Sequence, residues 1–130
     1  MMARQTAAAT GQAGRKRRRS GPAATPADKL RSLKAEVLAA AGHPIRLAIV
    51  EMLADGEVCV CEIAERLGAE RSNVSRHLGV LTRAGLLSAR KDGLRVLYHL
   101  RTPCILRFLD CVTDVVRQRL SEEQELLEQL

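Results

Sequence analysis

Cys59 and Cys61 stand one residue apart, with Glu62 directly after them, and Cys104 and Cys111 stand seven apart further along the chain. Thiolates are the ligands that soft divalent ions and trivalent metalloids prefer. A one-residue gap turns two side chains about 200° apart on a regular helix. Cys59 and Cys61 can therefore share one ion only where the backbone is extended or partly unwound. The other reading of the pair is two small buried hydrophobes, since free cysteine is among the most buried residue types. A zinc finger does not fit, because its paired cysteines need a gap of about two to four residues.

Cys104 and Cys111 fall nearly on one face of a helix. Either would complete a three-sulfur site if the helices converge, or the two would form a second site. They also continue the edge of an apolar stripe of Ile105, Leu109, Val112, Val116 and Leu120, where they would simply pack. Four cysteines without an export signal favour reduced thiols over disulfides and a cytoplasmic location. A thiol enzyme finds no support, as there is no Cys-x-x-Cys, no general acid and no cofactor motif. A redox or reactive-sulfur switch remains the alternative chemistry for the thiols.

Charge points to a partner once it is divided by position. The chain of 130 residues carries 21 basic and 15 acidic residues, a net +6. Residues 1–29 alone hold seven basic residues against one acid, so the whole excess belongs to the N-terminal segment with its Arg15-Lys16-Arg17-Arg18-Arg19 block. Residues 71–101 hold a second +6, hidden in the total by acidic stretches on both sides. Basic charge concentrated on one element suits phosphate contact and counterion release. Two aromatic residues, Tyr98 and Phe108, are too few for the stacking platforms that single strands require. No apolar run is long enough to span a bilayer, so no membrane partner is expected.

The elements that must hold these residues follow from periodicity. Residues 1–27, rich in Ala, Thr, Gly and Arg, read as a disordered basic tail. Helical spacing begins at Leu30 and is interrupted at Gly42-His43-Pro44, with Pro44 suited to the first position of a second helix. A short third helix spans 60–67 and stops at Gly68; a fourth runs from about 71 to 84 with Val74, Leu78 and Leu81 inward and Gly85 as its cap. Period-two segments then flank Lys91-Asp92-Gly93-Leu94, a hairpin signal. Pro103 opens a fifth helix to about Leu120, and Ser121-Glu122-Glu123-Gln124 reads as the capping box of a short final one. The order describes a mainly α fold with a β-hairpin wing, a winged helix-turn-helix. Its domain covers 28–121, with 122–130 an acidic tail or short helix.

With Val74, Leu78 and Leu81 inward, the outward arc of the fourth helix holds Arg71, Ser72, Ser75, Arg76, Gly79 and Arg83. In a major groove, the arginines and serines would reach bases or phosphates, and Gly79 would permit close approach. The wing adds Arg90, Lys91 and Arg95 as phosphate contacts. His77, beside the arc, reads as a structural or phosphate-proximal residue.

From Leu38 to Leu100 the chain resembles the ArsR/SmtB family of bacterial metal-responsive repressors. The resemblance is carried by Gly42-His43-Pro44-Ile45-Arg46-Leu47, Val58-Cys59-Val60-Cys61-Glu62-Ile63-Ala64, Ser72-Asn73-Val74-Ser75-Arg76-His77-Leu78 and Leu97-Tyr98-His99-Leu100. It implies a homodimeric repressor that binds palindromic double-stranded operator DNA and leaves it when a metal or metalloid binds. It places DNA contacts at Arg71, Ser72, Ser75 and Arg76, the set that the helical face also selects. Cys59 and Cys61 match the Cys-x-Cys of the family's arsenic, cadmium and lead sensors. The hard-ligand zinc site of other members is missing, since Thr102, Cys104, Val115 and Gln118 stand at its positions. The expected inducer is As(III) or Sb(III), with Cd(II), Pb(II) or Zn(II) as alternatives, and no constitutive cofactor.

Overall fold

Thr25 starts the first helix by a reciprocal cap: its hydroxyl accepts from the Asp28 amide at 3.2 Å, and the Asp28 carboxylate accepts from the Thr25 amide at 3.0 Å. Two backbone donors are satisfied this way at a helix end that would otherwise leave them open. The computed structural model describes residues 21–130, and helix α1 spans Pro26–Ala41. It therefore begins inside the stretch expected to be tail, because Thr25, Pro26 and Asp28 together make a stronger start signal than composition alone conveys. Of the expected tail, residues 1–20 lie outside the described residues.

His43 caps α2, Pro44–Met52, by accepting the Ile45 amide at Nδ1, and Pro44 takes the first helical position as expected. A single 3₁₀ turn, Leu53–Asp55, leads to Gly56 and then to a two-residue strand, β1, Val58–Cys59. Helix α3 is Val60–Leu67, ended by Gly68 at φ +60, and α4 is Arg71–Arg83. Gly85 adopts φ +87 just past α4, while the Leu86 amide returns to the Leu81 carbonyl. This is the left-handed helix stop that glycine makes cheap.

Strands β2, Leu87–Asp92, and β3, Arg95–Leu100, form the hairpin. Its turn is Gly93-Leu94, with Gly93 at φ +62 and Asp92 paired with Arg95, so the turn falls one residue later than an Asp92-Gly93 centre and the register of the whole hairpin shifts with it. β1 pairs antiparallel with β3, giving a three-stranded sheet in the order β1-β3-β2. Periodicity does not announce this small third strand; Val58-Cys59 is too short for a period-two signal.

Ile49, Val50, Ile63, Val74, Leu78, Leu81, Leu86 and Leu87 are fully buried and hold α2, α3, α4 and the base of the wing together. Each such side chain contributes roughly 1.5–3 kcal/mol by leaving water. Helix α5 is one continuous element, Ile105–Glu128, running through Ser121 where a fresh helix was expected. Only Ile105 of α5 is buried, and Phe108, Val112, Val115, Val116, Leu120, Leu126 and Leu127 face outward. Leu30, Leu33 and Leu38 of α1 are likewise about half exposed. No single helix among the described residues is long and apolar enough to cross a membrane.

Candidate metalloid site and nucleic-acid interface

The backbone at Cys59 is extended, with φ −78 and ψ 154, because Cys59 is both the last residue of β1 and the N-cap of α3. Cys61 then lies in the first turn of α3. Only Cys59 departs from helical geometry, while Val60 and Cys61 belong to α3. Cys59 Sγ accepts the Glu62 amide at 3.4 Å and so caps the helix with sulfur. The Cys59 thiol is held below its usual range, first by a hydrogen bond with Cys61, then by the Glu62 amide, with the charge of Arg95 adding to both against the opposing effect of burial. Lowering of this kind favours the thiolate, the form that binds soft ions and reacts with electrophiles.

Cys59 is buried and Cys61 half-buried, while Cys104 and Cys111 are exposed on or beside α5. All four are free thiols. Among the described residues, no third Cys, His, Asp or Glu of the same chain joins Cys59 and Cys61 as a ligand cluster.

The second expected surface lies on α4. Arg71, Ser72, Ser75, Arg76 and Arg83 are exposed, opposite the buried Val74, Leu78 and Leu81. His77 is drawn into packing instead: its ring lies against His43 and near Arg46. In the wing, Arg90, Lys91 and Arg95 are exposed. Arg90 is not a free cation, however. Glu57 accepts from its Nε at 2.8 Å and its Nη2 at 2.7 Å. The pair lowers the Glu57 carboxyl and raises the Arg90 guanidinium. Sequence reading missed Glu57, which stands 33 residues from its partner and in no motif.

Residues 43–89 match the family model described as bacterial regulatory protein, arsR family. The chain is 38% identical over 104 residues to the uncharacterized HTH-type transcriptional regulator Rv0081 of Mycobacterium tuberculosis, covering 79% of this chain and 91% of that one. The crystal structure of Rv0081 superposes with a TM-score of 0.66 at 37% identity, over 77% of this chain and 98% of the other. A solution structure from Mycobacterium bovis, described as the homodimeric winged helix-turn-helix DNA-binding domain of Mb0332, a possible ArsR-family regulator, gives a TM-score of 0.67 at 29% identity, over 76% and 92% of the two chains. The HTH-type transcriptional repressor SmtB of M. tuberculosis is 35% identical over 77 residues, 59% of this chain and 57% of the repressor.

Proposed function

The chain belongs to the arsR family of bacterial transcriptional regulators, and from that premise we propose a dimeric repressor that releases its operator when As(III) or Sb(III) binds Cys59 and Cys61. The observation that carries the inducer is the extended backbone at Cys59, which sets its lowered thiol beside Cys61 at the start of α3. Two adjacent thiols, one held toward thiolate, suit a trivalent metalloid; Cd(II) and Pb(II) share the preference for sulfur. Zn(II) is also retained as an arm of the test. Drawing both sulfurs onto one ion would distort the first turn of α3, which packs directly against α4.

DNA contact is assigned to Arg71, Ser72, Ser75 and Arg76 of α4, with Arg90, Lys91 and Arg95 of the wing at flanking phosphates. Their exposure on one basic stretch supports this, as does the DNA-binding domain named for Mb0332. A second copy of the chain would cover the outward apolar residues of α1 and α5; Mb0332 is described as homodimeric. Cys104 and Cys111 lie exposed on that helical surface, where a dimer would determine whether either completes the thiol site.

The test is an operator-release titration across arsenite, antimonite, cadmium, lead and zinc, on wild type, Cys59→Ser and Cys61→Ser. Both variants are expected to bind operator and to lose release by metalloid. A variant that still dissociates at the wild-type inducer concentration overturns the site. The same lowered thiol favours oxidation or persulfidation, so mass spectrometry after oxidant treatment is run beside it. Release by disulfide formation without metalloid would select the redox reading.

A further inference from the structure

The wing sheet has two unlike faces. Val58, Leu87, Tyr98 and Leu100 turn to the core, so strand alternation puts Cys59, Arg90, Arg95, Leu97 and His99 on the opposite face. The register aligns Cys59, Leu97 and Arg90 across all three strands. Glu57, one residue before β1, shares the face of Cys59. Its carboxylate crosses the central strand β3 and grips Arg90 on the far strand β2 through two hydrogen bonds. Its Oε1 also lies 3.9 Å from Nδ1 of His99 on β3. Arg90, an assigned DNA-facing residue of the wing, is thus tied to the residue that leads into β1.

We propose that β1 links the Cys59–Cys61 pair to the wing, with Glu57 as the positioning residue that aims Arg90 at DNA. The proposal rests on the thiol reading above and adds a route separate from the distortion of α3. The bidentate fork occupies Nε and Nη2 of Arg90 and leaves Nη1 for a phosphate, so Glu57 orients the guanidinium without consuming it. Both partners are substantially exposed, at 52% and 34%, so the pair adds little to folding. Its geometry is what matters. Only two residue pairs hold β1 on β3, so the strand can shift without breaking the hairpin. When both sulfurs close on one ion, the turn at Cys59 changes, Glu57 moves with it, and Arg90 loses its aim.

The test compares operator affinity with and without arsenite for wild type, Glu57→Gln, Arg90→Ala, the double variant and Glu51→Gln. Glu51, exposed on α2, controls for the lost negative charge. Arsenite binding is followed separately by thiolate-to-arsenic absorbance. Glu57→Gln is expected to bind arsenite as wild type does, with the arsenite-induced change in operator affinity reduced by about tenfold. Arg90→Ala should match it, the double variant should add nothing further, and Glu51→Gln should leave release unchanged. Full release in Glu57→Gln overturns the link and leaves the thiol reading standing, as does an equal loss in Glu51→Gln. Absence of arsenite binding to the wild-type protein removes the arsenite reading and the link proposed on it together, and the absorbance trace distinguishes these failures.

Discussion

The rings of His43 and His77 lie with centroids 4.6 Å apart, tilted by 39°, and join the turn between α1 and α2 to the helix that carries the assigned DNA-binding residues. Arg46 completes the junction. It donates to the Ala40 carbonyl at the end of α1 and approaches His77 Nδ1 at 3.5 Å. A cation at a helix C-terminus is favoured there, whereas a further proton on His77 is not.

Burial first, then the charges of His43, Arg46 and Arg76, hold His77 below the usual histidine value of 6.5. The folded state therefore binds the proton less readily than the unfolded chain. Its contribution to stability is full above about pH 6.5 and is lost as pH falls through the lowered value. Thermal unfolding across pH 5–8 is expected to show a declining Tm on the acid side, on the order of one proton's linkage. His77→Asn should flatten that decline; an unchanged profile would place the titration elsewhere.

Arg76 is exposed on α4 next to His77, and its reach toward a duplex is tested by truncation. Arg76→Ala is expected to weaken operator binding by about 1–3 kcal/mol and to spare random duplex. Equal weakening on both DNAs would assign the side chain to phosphate instead.

The N-terminal basic block is tested by deletion, and the cap at Thr25 decides where to cut. Removing residues 1–20 spares Thr25 and Asp28; removing 1–27 takes the cap and the first two residues of α1. The shorter deletion is expected to lower the salt slope of DNA binding by about 0.9 for each phosphate that the block neutralises. An unchanged slope leaves the block without a DNA role. Loss of the cap alone, as in Thr25→Ala, costs about 1 kcal/mol of helix stability.

The outward face of α5 gives a third kind of test. Val112, Val116 and Leu120 are 40%, 46% and 59% exposed, an arrangement that leaves apolar area in water unless another copy covers it. Val116→Glu is expected to shift the protein to monomer in sedimentation and to weaken operator binding with it. A monomeric wild type would rule out α5 as the dimer surface.

Much of the fold is legible in the sequence because its signals are local. Helix α3 ends where Gly68 supplies the left-handed stop, and α4 buries the three residues its period selects. The continuation of α5 is hidden because Ser121-Glu122-Glu123 imitates a start signal. In the structure Gln118 pairs with Glu122 and Gln124 with Glu128, four residues apart along one helix, and the serine sits in its interior. The spacing of Cys59 and Cys61 calls for an extended backbone but does not reveal the strand that imposes it, since β1 exists only through pairing with the distant β3. The Glu57–Arg90 bridge depends on that same pairing.

Gly79 separates stability from binding in one substitution. It lies within α4, among the outward residues, where glycine is less favourable than alanine by about 1 kcal/mol. A Cβ there would meet Arg83 Nη1 at 3.3 Å, the mobile end of a long side chain, so the neighbour can give. Gly79→Ala is therefore expected to raise the unfolding free energy by about 0.5–1 kcal/mol. If α4 enters a major groove with this arc inward, the same methyl stands between helix and duplex and displaces Arg83. Operator affinity should then fall while Tm rises. A variant with higher Tm and unchanged affinity would show that the helix does not approach DNA closely at Gly79, and would confine the contacts of α4 to Arg71, Ser72, Ser75 and Arg76 nearer its start.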